Sequence, residues 1–155
     1  MDLLRTKNRV VFVATLLVWG VVTPATLAGD WPMWRHDAER SAATADDLPE
    51  VLYLSWWRDY PVPEPAWPED PRLIFDAVYE PIVIGDTMIV SLGLAESVVA
   101  LDTETGLEKW RFFAEGPVRF APVADQGRLY FGADDGYFYC LDAADGRLIW
   151  KLRAA

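Results

Sequence analysis

Val99-Ala100-Leu101-Asp102-Thr103-Glu104-Thr105-Gly106-Leu107-Glu108-Lys109-Trp110 returns further along the chain as Tyr139-Cys140-Leu141-Asp142-Ala143-Ala144-Asp145-Gly146-Arg147-Leu148-Ile149-Trp150. Asp102, Gly106 and Trp110 become Asp142, Gly146 and Trp150, each at an offset of 40. Upstream, Pro81–Asp86 aligns with Pro122–Gly127 at an offset of 41, so the loop of the first copy holds one extra residue. A fixed period of this size marks an array of like structural units and has to be read before any single element.

Within each copy, short apolar or alternating runs are divided by turn residues, which is a strand pattern and not the 3.6-residue period of a helix. The second copy predicts strands at Pro122–Asp125, Arg128–Gly132, Tyr137–Leu141 and Arg147–Leu152, with turns at Gln126-Gly127, Asp134-Asp135-Gly136 and Asp142–Gly146. Four short antiparallel strands per period make one blade of a propeller. The expected fold is all-β: a β-propeller of four-stranded antiparallel blades, incomplete, with about two blades and a lead-in strand. Residues 73–155 hold the two repeats, whose blades end near Trp110 and Trp150.

The repeated residues have mechanical reasons to be there. The carboxylate of Asp102 can accept from backbone N–H groups two or three residues on, and Gly106 can take positive φ without a steric penalty. A Trp on the last strand can fill the wedge between neighbouring blades while its indole N–H finds a carbonyl. Ala100, Asp102, Thr105, Gly106, Trp110, Asp142, Gly146 and Trp150 are therefore read as a structural motif and not as a binding site.

Residues 29–60 read as an N-terminal segment and lead-in strand. Leu52-Tyr53-Leu54-Ser55-Trp56-Trp57-Arg58 alternates and ends in Trp, but Pro81 follows Trp57 by 24 positions where Pro122 follows Trp110 by 12. The extra length includes residues 61–72, a Pro-rich stretch whose prolines lack a backbone donor, so an extended, polyproline-like loop is expected. Trp67 within it is expected to pack that loop down, with a surface contact as the alternative.

Composition narrows the function. The chain has 155 residues, 52% hydrophobic and 14% aromatic, enough to bury a core. Lys+Arg 14 against Asp+Glu 24 gives a net charge of −10, which argues against nucleic acid and against a basic membrane-surface role. Cys140 is the one cysteine and His36 the one histidine, so neither a disulfide framework nor a multi-cysteine zinc site can form. Arg5, Lys7 and Arg9 precede the uncharged run Val10–Val22, and Thr26 and Ala28 suit cleavage, so residues 1–28 read as a secretory signal peptide. The 13-residue run is short for a span, and no membrane span is expected in the mature chain. Its loss leaves a mature chain with a net charge of −12 and no asparagine, since Asn8 is the only one. A secreted protein of a bacterial periplasm or cell envelope is expected.

The blade-ending residues resemble those of the quinoprotein-like β-propellers built of pyrroloquinoline-quinone (PQQ) type repeats, whose blades end in Ala-x-Asp-x-x-Thr-Gly-x-x-x-Trp. Ala100, Asp102, Thr105, Gly106 and Trp110 match fully, while the second copy has Cys140 for Ala and Asp145 for Thr. The opening Asp30–Ser41 also resembles the segment before the first blade in exported members. The family includes the scaffold lipoprotein of the outer-membrane β-barrel assembly machinery and the PQQ dehydrogenases. The dehydrogenases add a calcium site using Glu and Asn, and in many cases adjacent cysteines; this chain has no mature Asn and one Cys. In this family closure resembles a clasp, an N-terminal strand completing the last blade, and Leu52–Arg58 is the candidate for it.

The remaining candidates are read structurally. His36, between Arg35 and Asp37, fixes the N-terminal segment; the acidic turns Asp134–Gly136 and Asp142–Gly146 lack EF-hand spacing; Cys140 is a buried inert thiol. No catalytic, cofactor-binding or metal residues are expected. The predicted function is a non-enzymatic envelope scaffold binding a protein or polymer, its open edges covered by further blades or an oligomer, as for a piece of a larger propeller. The alternatives are the N-terminal part of a quinone-dependent dehydrogenase, with PQQ and calcium held on other blades, and a non-functional gene fragment.

Overall fold

The computed structural model describes residues 29–73 and 76–153, so the expected signal peptide, residues 1–28, lies outside the described residues. Eight strands follow one another: β1 (Ile82–Ile84), β2 (Thr87–Leu92), β3 (Ser97–Asp102), β4 (Glu108–Phe113), β5 (Val123–Asp125), β6 (Arg128–Gly132), β7 (Tyr137–Asp142) and β8 (Leu148–Arg153). They form two four-stranded antiparallel meanders, β1-β2-β3-β4 and β5-β6-β7-β8. These are two blades of an incomplete all-β propeller. The predicted strands of the second copy agree with β5–β8 to within one residue at each end.

The registers superpose. Ile89 faces Ala100 and Trp110 faces Ala100 in the first blade, as Tyr130 faces Cys140 and Trp150 faces Cys140 in the second. Each third strand carries a β-bulge, between Ala100 and Leu101 and between Cys140 and Leu141. A small buried residue thus sits opposite each Trp, which is what Ala and Cys share.

Period-2 alternation gives each blade two faces. One face of the first blade, including Ile82, Ile89, Val98 and Ala100, packs against Leu129, Phe131, Tyr139 and Leu141 of the second, and this is the main core. Trp110 and Phe112 close it from β4, with Phe112 edge-on to Phe131 and Tyr139. The opposite face, Val90, Leu92, Val99 and Leu101, is covered by Trp56, Tyr60 and Tyr79. β3 is therefore apolar at consecutive positions because both its faces are covered.

The N-terminal segment straps the first strands of both blades. Trp31 bridges Val83 through N–H to carbonyl bonds of 2.7 and 2.9 Å, and the Ala124 N–H donates to the Pro32 carbonyl at 2.8 Å. Its turns hold Arg35, His36, Arg40 and Ala42 at positive φ.

Two expectations for the N-terminal half need correction. Leu52–Arg58 forms no strand: the segment is without ladder partners, because no neighbouring strand lies beside it among the described residues. Its blade-ending residue is Trp56 and not Trp57; Trp56 packs on the first blade while Trp57 is 73% exposed. The Pro-rich loop is irregular only up to Pro65 and then turns, with Asp70 N–H donating to the Trp67 carbonyl and Leu73 N–H to that of Asp70. Trp67 is more than half exposed and lines an open cleft with Ala66–Arg72, so it does not pin the loop.

Candidate functional site

The repeat residues make turns and an inter-blade lock. Asp102 Oδ1 accepts from Thr105 Oγ1 and Thr105 N–H at 2.8 Å and from Glu104 N–H at 3.2 Å, while Gly106 N–H donates to the Asp102 carbonyl at 2.8 Å. These bonds, led by the Thr105 hydroxyl, hold the Asp102 carboxyl below the usual carboxylate range. In the second blade Asp142 Oδ1 accepts from Ala144 N–H at 3.0 Å, and Gly146 N–H donates to the Asp142 carbonyl at 2.9 Å. Asp145 replaces Thr as acceptor for the next N–H, from Arg147, at 3.0 Å. It cannot donate to Asp142 when ionised; Arg147 Nη2 approaches Asp142 Oδ2 at 3.3 Å instead.

The lock uses the preceding Trp. Trp110 Nε1 donates to the Ala143 carbonyl at 3.2 Å, and its ring lies over Gly146, where a Cβ would meet Cε3 at 2.5 Å. Trp56 Nε1 donates to the Thr103 carbonyl at 2.8 Å, and a Cβ at Gly106 would meet Trp56 Cδ2 at 2.6 Å. Arg58 adds a bond from Nε to the Gly106 carbonyl at 2.8 Å. Trp56 thus fills, without a sheet of its own, the place that Trp110 fills from β4.

Trp150 is the third member of this series. The positions matching Ile89, Val98, Ala100, Trp110 and Phe112 in register are Tyr130, Phe138, Cys140, Trp150 and Leu152. Val98 is fully buried by the second blade, whereas Phe138 is 44%, Trp150 38% and Leu152 65% exposed. Tyr130 and Phe138 each hold the Trp150 ring at a centroid distance of 6.2 Å. Among the described residues this aromatic face of the second blade and the side chains Leu52, Tyr53, Leu54 and Trp57 are exposed apolar surfaces.

A third feature joins the loops. Arg119 donates from Nε to Asp134 Oδ2 at 2.6 Å and from Nη1 to Asp76 Oδ2 at 3.0 Å and the Glu64 carbonyl at 2.9 Å. Its guanidinium is desolvated, but the two carboxylates outweigh this and raise its pKa. Asp135 accepts from Tyr137 N–H, Glu115 N–H and the Tyr139 hydroxyl. The acidic turn is thus a clamp between loops. Asp76 and Arg119 lie 43 residues apart in non-repeating loops, so no spacing in the sequence pointed to them.

His36 fixes the N-terminal segment: its ring lies 4.9 Å from that of Trp31 and Nδ1 is 3.4 Å from Asp37 Oδ2. Cys140 is a buried free thiol. Among the described residues no group of three or more His, Cys, Asp or Glu could hold a metal ion, and no helix is long and apolar enough to cross a membrane.

A sequence model of one family, described as outer membrane protein assembly factor BamB, matches residues 22–155. The chain belongs to this PQQ-type repeat family. Among curated proteins no sequence matches it. Of the solved structures similar to the BamB-family chain, a quinohemoprotein alcohol dehydrogenase from Comamonas testosteroni gives a TM-score of 0.58 at 24% identity, over 80% of this chain and 19% of that one. BamB from Moraxella catarrhalis gives 0.42 at 16% identity, over 45% of this chain and 21% of that one. The chain thus spans about a fifth of either structure, and the likeness to the first shows the propeller fold.

Proposed function

We propose that the chain is an exported, non-catalytic scaffold of the bacterial envelope that holds a protein partner against the face of its second blade. The observation that carries this reading is Trp150. In the two equivalent places the indole donates to a backbone carbonyl and covers a glycine in an Asp-x-x-x-Gly turn. The surface around Trp150 therefore suits a protein segment that offers a carbonyl acceptor and a side-chain-free backbone beside apolar groups. Membership in a family described as an assembly factor supports a protein partner over a small substrate.

The test is a photo-crosslinking amino acid at position 152, with position 105 on the turn surface as control, in an envelope fraction. An adduct from 152 and none from 105, mapping to a strand or glycine turn of the captured protein, is the expected outcome. Equal labelling from both positions overturns it. Quinone-dependent oxidation of alcohols by the native protein, supplied with PQQ and calcium, overturns the non-catalytic part.

A further inference from the structure

The Asp76 side chain is fully buried, yet only one of its carboxylate oxygens is satisfied. Oδ2 accepts from Arg119 Nη1 at 3.0 Å and from Ala66 N–H at 2.9 Å, while Oδ1 has no hydrogen-bond partner among the described residues. A buried anionic oxygen without a donor is costly, and native structures rarely keep one. Asp76 lines a cavity of about 10 Å³, room for one water-sized group. One hydroxyl-bearing residue of the same wall has spent its proton elsewhere: Ser91 Oγ donates to the Phe120 carbonyl at 2.9 Å. Its oxygen can therefore serve an occupant only as an acceptor.

This pocket shares Glu64, Gly93, Leu94 and Arg119 with a larger cavity of about 380 Å³. The larger wall adds prolines, Ala66 and the Glu96 carboxylate. Around the pair, Asp76, Asp134, Glu64 and Glu96 stand against one guanidinium, Arg119, already bonded to two of them. The chemistry is that of a carboxylate-bearing tip next to an acidic vestibule with proline and leucine in its wall.

We infer that the Asp76 pocket binds a primary ammonium group carried on a short alkyl chain, either a lysine side chain of a protein partner or a free alkylamine. An ammonium supplies the N–H donors that the Asp76 oxygen and the Ser91 hydroxyl call for, and its methylenes match the proline and leucine of the wall. A guanidinium or a quaternary ammonium is larger than the tip allows. A divalent metal would want more oxygen ligands than the one free carboxylate oxygen and the Ser91 hydroxyl supply. The inference stands whether or not the second blade's face takes the partner proposed above.

The experiment is calorimetric titration of the full chain with n-butylammonium, tetramethylammonium, N-methylguanidinium and sodium chlorides and with Nα-acetyl-lysine methylamide, with the Ser91 and Gly93 amide resonances followed in parallel. Saturable binding of n-butylammonium, shifts at those amides and no saturable binding of the other three cations are expected. Binding of the lysine amide as well assigns the site to lysine; binding of n-butylammonium alone assigns it to free amines. Asp76→Asn should weaken binding by about tenfold or more, since a charge-assisted bond becomes a neutral one. Should that variant fail to fold, Leu94→Trp, at a half-exposed position of the vestibule, should give a comparable loss with Asp76 intact. No saturable binding, or equal binding of all the cations, overturns the inference and leaves the Asp76 pocket to a buried water only.

Discussion

Trp56 covers Gly106 so closely that a Cβ there would lie 2.6 Å from the indole Cδ2, and Trp110 covers Gly146 with the corresponding distance at 2.7 Å. The two contacts are alike but their supports differ, since Trp110 is held in β4 and Trp56 sits on a segment without ladder partners. Gly146→Ala, at φ +72, must both strain the backbone and displace a fixed ring, and should destabilise by about 2–5 kcal/mol. Gly106→Ala, at φ +67, should cost less because Trp56 can lift away. Gly127→Ala, at φ +74 with nothing within 4 Å, isolates the backbone cost of about 1–2 kcal/mol. Urea unfolding of the three variants checks the order Gly146, Gly106, Gly127.

Tyr139 links alkaline stability to the clamp between loops. Burial, followed by its bond to the Asp135 carboxylate, pushes its hydroxyl up to about 12 from an ordinary value near 10. The folded state holds this proton where the unfolded chain has lost it, so the contribution is complete below pH of about 10 and disappears as pH rises toward about 12. Tyr139→Phe should remove this part of the alkaline limb, leaving a shallower decline of thermal midpoint across that window. An unchanged slope would show that other groups set the alkaline limit.

At the acid end, the Thr105 hydroxyl and N–H keep the Asp102 carboxyl below its usual range. Because the folded value is the depressed one, its contribution exists above the unfolded pKa and is lost as pH falls through the folded one. Thr105→Ala should move the Asp102 titration upward in a carboxyl NMR experiment.

Much of the architecture was readable because turns and strands are local. Asp102–Gly106 and Asp142–Gly146 announce tight turns by residue type alone, and the apolar runs between them are bounded without reference to anything distant. The role of Trp110 was readable for the same reason, since its repeat to Trp150 placed it on a last strand. Where the repeat stops, so does the legibility. In Leu52–Arg58 two adjacent tryptophans compete for one place, and with no ladder to set the alternation, packing on Gly106 and the bond to the Thr103 carbonyl select Trp56 over Trp57. The Asp76–Arg119 pair was invisible because it depends on how two irregular loops meet, which no periodicity encodes.

The clearest comparison within the molecule is between Trp110 and Trp150, which share register and a small opposing residue but not neighbours. Trp110 is packed between blades and donates to Ala143, so Trp110→Ala should cost about 3–5 kcal/mol. Among the described residues Trp150 has Tyr130 and Phe138 as aromatic neighbours and stays 38% exposed, so Trp150→Ala should cost about 1–2 kcal/mol in the isolated chain. A protein partner seated on the second blade would remove water from the ring and supply an acceptor for its N–H. Trp150 should then emit at shorter wavelength in the complex, the shift should vanish in Trp150→Phe, and the cost of Trp150→Ala should rise toward that of Trp110→Ala. A complex that forms with no change in Trp150 emission would place the partner elsewhere on the propeller.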